Sequence, residues 1–274
     1  MTIAAVNGVQ LYYESTGAGF PLVFLHESCG NYKSWDAQVR FFSRYYRVIT
    51  YNARGYPPSD VPSSLSEYSQ ALVAEDLHQL LLSLGISLAY VAGLSMGGGT
   101  ALRFAIDHPD MVRALVLAST GAGAVNREQL LGVVGRLARE LEGGQFGPEA
   151  EAFMRSPTRT RLPRKNPKAW DEVWDEFTGF STLGLSLTFQ GVVTRRKPVD
   201  ELTHELSRLT IPTLIVAGDE DSACLEPSLL MRRYLPNSGL CIFPRSGHLL
   251  SAEEPDRFNQ SLFAFLLDVE KGQW

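Results

Sequence analysis

The stretch Gly93-Leu94-Ser95-Met96-Gly97-Gly98 constrains this chain more than any other. Before it, Leu88-Ala89-Tyr90-Val91-Ala92 is an apolar run of strand length. After it, Thr100-Ala101-Leu102-Arg103-Phe104-Ala105-Ile106 carries apolar residues at helical spacing. A Gly-x-Ser-x-Gly between a strand and a helix puts the serine on a sharp, strained turn, and the two glycines omit the side chains that would clash there. The turn lifts the Ser95 hydroxyl above a sheet. It also aims the first amides of the new helix, Met96 foremost, at any oxyanion forming beside it. A glycine-rich turn that only packs a helix on a sheet is the simpler reading, and partners for Ser95 elsewhere in the chain count against it.

The 274 residues allow one large α/β domain, or a core with a smaller insertion, and a 45% hydrophobic fraction suits a globular protein with a sizeable core. A formal charge of −5 argues against a nucleic-acid partner. The start, Met1-Thr2-Ile3-Ala4-Ala5-Val6-Asn7-Gly8, has no basic residue and no long apolar run. It does not read as a signal peptide, and no later stretch reads as a membrane span. Cys29, Cys224 and Cys241 are odd in number and widely spaced, which suggests neither a disulfide framework nor a zinc site and makes a reducing cytoplasm the expected location.

Taken in order, Val9–Glu14 reads as a first strand. Pro21–His26 reads as a strand buried on both faces, and Arg47–Asn52 as the next. A helix runs through Trp35, Val39, Phe41 and Phe42. A long amphipathic helix is expected from Ser66 to Leu84, stopped by Gly85. After the elbow come a helix ending at His108-Pro109 and the strand Ala114–Ala118. From Val125 to Arg208 strand-like runs disappear and charged helical segments take over, including Arg127–Glu142 and Pro167–Phe177. The strand pattern then resumes at Pro212–Ala217 and Gly239–Phe243, with helices at Glu226–Tyr234 and Glu254–Leu267. This predicts an α/β fold: a mostly parallel sheet flanked by helices, with residues 1–124 and 209–274 as core and 125–208 as a helical insertion between core strands. Ligands in such sheets sit at the carboxyl ends of the strands.

A serine hydroxyl needs a base to take its proton, and the base needs a third group to fix its tautomer. Of His26, His78, His108, His204 and His248, only His248 follows a late strand in a glycine-containing loop, beyond that strand's carboxyl end. It is the candidate base. His78 and His204 read as solvated or structural, and His108 as a helix-end residue. For the acid, Asp219, Glu220 and Asp221 all follow the end of the strand Thr213–Ala217, and position alone does not choose among them. The order Ser95, acid, His248 is the chain order of α/β-hydrolases.

The chain resembles the α/β-hydrolase superfamily over nearly its full length, and within it the small bacterial esterases and enol-lactonases with a helical lid. The segments that carry the resemblance are Leu25-His26 with Ser34-Trp35, Arg54-Gly55-x-x-x-Ser59-Asp60, Gly93-Leu94-Ser95-Met96-Gly97-Gly98, His108-Pro109, Pro212–Gly218, and Ser246-Gly247-His248 leading to Glu253-x-Pro255. The resemblance implies an α/β-hydrolase fold with a lid, no cofactor or metal, and a triad of Ser95, His248 and Asp221. The acid is Asp221 because the family usually places it third after the glycine ending that strand. It also implies an oxyanion hole made by the amides of Met96 and Ser28, with Glu27 the neighbouring alternative for the second.

One departure bears on the site: His26-Glu27 stands where the family has His-Gly. An ionised Glu27 pointing inward would oppose the developing negative charge, or would read substrate or position water. The preferred arrangement is turned away, bonded to backbone or Arg54, or kept protonated by burial. His26 and Arg54 are expected to anchor loops. In the lid, Phe146, Phe153, Trp170, Trp174, Phe177, Phe180 and Phe189 supply both an internal core and an apolar entrance. His26, Glu27, Trp170 and Trp174 are the further candidates for touching substrate or supporting the residues that do. Arg159, Arg161, Arg164, Lys165, Arg195, Arg196 and Lys197 read as a solvated basic face.

The implied activity is hydrolysis of a small carboxylic ester or lactone through an acyl-enzyme, by a monomer or homodimer with no nucleic-acid or membrane partner. The alternatives are carbon–carbon hydrolysis of a vinylogous diketone by the same triad, a cofactor-free oxygenase, and a non-catalytic ligand binder. A dehalogenase or epoxide hydrolase is expected to carry aspartate at position 95.

Overall fold

The structure, a computed structural model, describes residues 2–121, 124 and 126–274. Met1 and Val125, which bound the expected core and insertion segments, lie outside the described residues. The strands are β1 (Thr2–Val6), β2 (Val9–Thr16), β3 (Pro21–Leu25), β4 (Arg47–Tyr51), β5 (Ala89–Leu94), β6 (Val112–Ala118), β7 (Thr213–Gly218) and β8 (Ser238–Phe243). Among the described residues they form one sheet in the order β1-β2-β4-β3-β5-β6-β7-β8. The β1/β2 and β2/β4 pairs are antiparallel, and from β4 to β8 all neighbours are parallel.

Strand β1 is absent from the sequence-based expectation. Its signal is present: Asn7-Gly8 is a two-residue hairpin turn, with both residues at positive φ and Val6 paired to Val9.

The central strands read as unbroken apolar runs because both faces are covered. Leu22 and Phe24 of β3 join one core cluster, with Trp35, Phe42 and Phe258. Val23 and Leu25 join the other, with Leu77, Leu80, Ala101 and Phe104. Strands β5 and β6 alternate in the same way. Helices α1 (Asp36–Phe42) and, at the C-terminal end of the chain, Pro255–Glu270 cover the first face. Helices α2 (Gln70–Ser83) and α3 (Met96–Asp107) cover the second.

Helix α2 starts later than the expected Ser66. Ser69 caps it by accepting the Leu72 N–H, and Leu65–Glu67 forms a separate 3-10 turn. The apolar periodicity continues through that turn, which is why the sequence reads as one helix.

Between β6 and β7 the chain forms only helices among the described residues: α4 (Arg127–Glu142), α5 (Pro148–Met154), α6 (Arg161–Lys165), α7 (Pro167–Thr178), α8 (Thr182–Thr188) and α9 (Thr203–Arg208). A π-helical turn, Phe189–Val193, extends α8, with the Thr194 N–H donating to the Phe189 carbonyl. Helix α10 (Leu225–Tyr234) precedes β8, and α11 (Leu250–Glu253) and α12 (Pro255–Glu270) close the chain. No helix among the described residues is long and apolar enough to cross a membrane.

Candidate active site

Strand β5 ends at Leu94 and α3 begins at Met96, so Ser95 is the whole of the turn. Its backbone sits at φ 55° and ψ −109°, a conformation that L-residues rarely adopt. The surroundings hold it there. The Ser95 N–H donates to the Ala118 carbonyl at 2.9 Å, and the Gly99 N–H donates to the Ser95 carbonyl at 3.0 Å. A Cβ at Gly93 would collide with the Gly97 carbonyl, and one at Gly97 with the Leu25 carbonyl. The glycines therefore let the elbow press against the end of β3.

The loop after β8 carries His248 to this turn. His248 Nε2 lies 2.9 Å from Ser95 Oγ, and its Nδ1 lies 2.8 Å from Asp221 Oδ2. Asp221 is fully buried and His248 is 4% exposed. Burial alone pushes the Asp221 carboxyl up, but the facing, hydrogen-bonded His248, with Arg159 nearby, holds it below the usual carboxylate range. The other two candidate acids are engaged elsewhere. Asp219 Oδ1 accepts the Ser246 N–H at 3.1 Å, and Glu220 pairs with Arg161.

The His248 loop is itself tied down. Glu253, in α11, accepts the Gly247 N–H at 2.7 Å and the Leu249 N–H at 3.2 Å. The His248 N–H donates to the Thr158 carbonyl at 2.7 Å, an approach open because residue 247 has no Cβ to strike that carbonyl. Sequence reasoning included Glu253 in a motif without a role and missed Thr158, for which the sequence carries no signal.

Ser28, Met96, Ser95 and His248 line one cavity of about 80 Å³, whose walls include Leu130, Val134, Phe153, Phe189 and Val193. The Tyr56 hydroxyl donates to the Ser28 carbonyl at 2.9 Å and fixes that peptide. His26 does not line this cavity. Its Nδ1 donates to the Glu27 carbonyl at 2.7 Å, and its Nε2 accepts the Ala53 N–H at 3.1 Å. Burial lowers its pKa to about 4, so the ring is neutral and ties two loops together.

Glu27 is buried and also does not line the cavity. Its Oε1 accepts the Ser34 hydroxyl at 3.1 Å, and burial pushes its carboxyl above the ordinary value. The expected bond to Arg54 does not form, because Asp76 occupies that guanidinium through two contacts of 2.6 Å. The side chain is shielded within the protein instead of turned out to solvent.

Two further expectations are corrected. Trp170 and Trp174 do not line the Ser95 cavity. They pack on each other, and Trp174 on Phe177, as the core of the helical segment. Phe153 and Phe189 face the cavity in their place, Phe189 from the π-helical turn. The basic residues do not form one solvated face either. Arg159 is 7% exposed and, with Arg196, lines the Ser95 cavity, while Lys165 reaches Glu254 at 2.6 Å.

Among the described residues, two groups of three or more side chains have metal-ligating atoms within 4.8 Å of one another: Glu75, His78 and His108, and Asp221, Cys224 and His248. In the second group, Asp221 and His248 are committed to each other and to Ser95. In the first, the two imidazoles stack at 3.8 Å beside Glu75.

A family model for the alpha/beta hydrolase fold matches residues 21–255. The chain belongs to the alpha/beta hydrolase family. Among its relatives, epoxide hydrolase 3 of Mus musculus is 26% identical over 96% of this chain and 75% of its own length. The 2-hydroxy-6-oxononadienedioate/2-hydroxy-6-oxononatrienedioate hydrolase of Paraburkholderia phymatum is 30% identical over 94% of this chain and 91% of its own. A solved structure of a thermophilic esterase from Thermogutta terrifontis superposes with a TM-score of 0.84 at 26% identity, covering 98% of this chain and 99% of that one. These alpha/beta hydrolases differ in reaction, so the chemistry must be argued from the residues of the site.

Proposed function

We propose that this alpha/beta hydrolase cleaves a small carboxylic ester or lactone through an acyl-enzyme on Ser95. The observation that carries the reading is the hydrogen-bonded series Ser95–His248–Asp221, with contacts of 2.9 and 2.8 Å. His248 Nε2 takes the hydroxyl proton as Ser95 Oγ attacks the carbonyl carbon. Asp221 keeps Nδ1 protonated and steadies the imidazolium. The amides of Met96 and Ser28 receive the oxyanion, the first being at the N-terminus of α3, where the helix dipole favours negative charge. The tetrahedral adduct collapses, His248 protonates the leaving alkoxide, and the same imidazole then activates water to cleave the acyl-enzyme.

The helices between β6 and β7 act as the lid in this reading. Leu130, Val134, Phe153, Phe189 and Val193 supply an apolar wall for the acyl or alcohol group. Epoxide opening, suggested by the mouse relative, is set aside because position 95 is serine and not aspartate. A second reading is favoured by the 30% identity to the oxononadienedioate hydrolase: the same three residues would cleave a carbon–carbon bond in a vinylogous diketone.

The test is release of p-nitrophenol from acetate, butyrate and octanoate esters by wild type, Ser95→Ala, Asp221→Asn and Asp219→Asn. Ser95→Ala is expected to abolish turnover. Asp221→Asn is expected to lower it by about three to four orders of magnitude, and Asp219→Asn far less. Full activity in Ser95→Ala refutes the reading. No turnover of any ester by wild type, with decay of a 2-hydroxy-6-oxo-dienoate chromophore, moves the assignment to the carbon–carbon reaction.

A further inference from the structure

Arg159 is a buried cation that the triad chemistry leaves unused. It sits between α5 and α6 at 7% exposure. Its guanidinium carbon stands 4.3 Å over the Phe153 ring, and Nη1 donates to Ser156 Oγ at 3.1 Å. Its Nε is buried with no hydrogen-bond partner, and among the described residues it forms no ion pair with a carboxylate. A guanidinium keeps its charge at any working pH, and a buried charge is costly unless an anion answers it.

The place of Arg159 says where that anion would come from. Arg159 lines the Ser95 cavity and also an adjoining cavity of about 280 Å³, and Leu130, Phe153, Thr158 and Ala223 are common to both walls. A molecule with its carbonyl at Ser95 and its tail in the outer cavity must pass the guanidinium. Arg196 adds a second cationic side chain to the inner wall, and among the described residues neither lining includes an aspartate or glutamate. The two nearby acids face other partners, Asp221 on His248 and Glu27 on Ser34. The loop is also held in register with the site, since the Thr158 carbonyl, one residue before Arg159, accepts the His248 N–H.

We propose that Arg159 binds a carboxylate of the substrate, so that the site selects esters or lactones carrying a second, ionised carboxyl group. The proposal rests on the hydrolase reading and adds the substrate class to it. The competing role is structural: the charge lies near enough to Glu27 and Asp221 to favour their ionised forms. That role gives no reason for selectivity between a charged and a neutral ester, so selectivity is the readout.

The experiment compares monomethyl succinate, glutarate and adipate with methyl butyrate, valerate and hexanoate, pairs in which a carboxylate replaces a terminal methyl. Hydrolysis is followed by pH-stat. In wild type, kcat/KM for at least one anionic member is expected to exceed that of its neutral partner tenfold or more, mainly through KM. In Arg159→Gln that ratio falls to about one. In Arg159→Lys, which keeps the charge and loses the planar fork, it falls several-fold. Arg159→Lys carries the test if Arg159→Gln does not fold.

A neutral preference in wild type at every chain length, or a ratio unchanged by Arg159→Gln, overturns the proposal while the esterase reading stands. If no ester is turned over, the esterase reading fails and binding decides. Calorimetric binding of monomethyl glutarate to Ser95→Ala that weakens tenfold or more in Ser95→Ala/Arg159→Gln supports the carboxylate site, whereas no binding or equal affinity overturns it.

Discussion

His26 makes stability depend on pH in a way that can be worked from its contacts. Its Nε2 accepts the Ala53 N–H and its Nδ1 donates to the Glu27 carbonyl. Protonation would set an N–H against an N–H in a buried site, so the folded protein resists it. Burial moves the pKa from 6.5 to about 4. The sign follows directly. The unfolded chain binds the proton near pH 6.5 and the folded chain does not, so the contribution is fully present above that value and is lost as pH falls toward 4. A difference of that size corresponds to about 3 kcal/mol in full, of which about 2 kcal/mol is lost between roughly pH 7.5 and pH 5. The perturbation is His26→Gln, whose amide oxygen can still accept the Ala53 N–H but cannot titrate. Urea unfolding of both proteins at the two pH values cancels the other titrating groups in the double difference. Wild type is expected to lose about 2 kcal/mol more than the variant on acidification. Equal losses, or an imidazole resonance of His26 that titrates near 6.5 in the folded protein, would refute the reasoning.

Two other substitutions test how the site is supported. Because Ser95 is held at φ 55°, Ser95→Gly relieves strain that Ser95→Ala keeps; the glycine variant should be more stable by about 1 kcal/mol in urea melts, with both variants inactive. Arg54 is buried on Asp76, so Arg54→Met leaves a buried carboxylate without its cation, still bonded to the Asn7 amide, and should cost about 3–5 kcal/mol, most of it recovered in the Arg54→Met/Asp76→Leu double variant. An Arg54→Met protein as stable as wild type would mean that Asp76 is neutral in the fold.

The sheet and the elbow were legible in the sequence because both are local patterns. A strand covered on two faces must be apolar where it is buried, as in Pro21–Leu25 and Ala114–Ala118, and a serine on a strained strand-to-helix turn needs small residues at positions 93 and 97. The turn signal of Asn7-Gly8 was present too, although β1 is not obvious from composition. Residues joined through space left weaker traces. Asp219, Glu220 and Asp221 are equivalent along the chain, and only the packing of the His248 loop on β7 sets Asp221 against the imidazole while Asp219 turns to the Ser246 N–H. Glu27 reads as an intruding charge, but a hydroxyl seven residues away and the enclosing loops shield it from the cavity. Arg159 is one basic residue among several in sequence. Burial beside Ser95 is a property of how the α5–α6 loop docks on His248, a contact between backbone groups that no side-chain pattern records. Hydrophobic periodicity and turn chemistry are written residue by residue, so the sequence alone determined the layers and the nucleophile turn. The partners of each buried charge depend on which loops meet, and only the tertiary structure decided them.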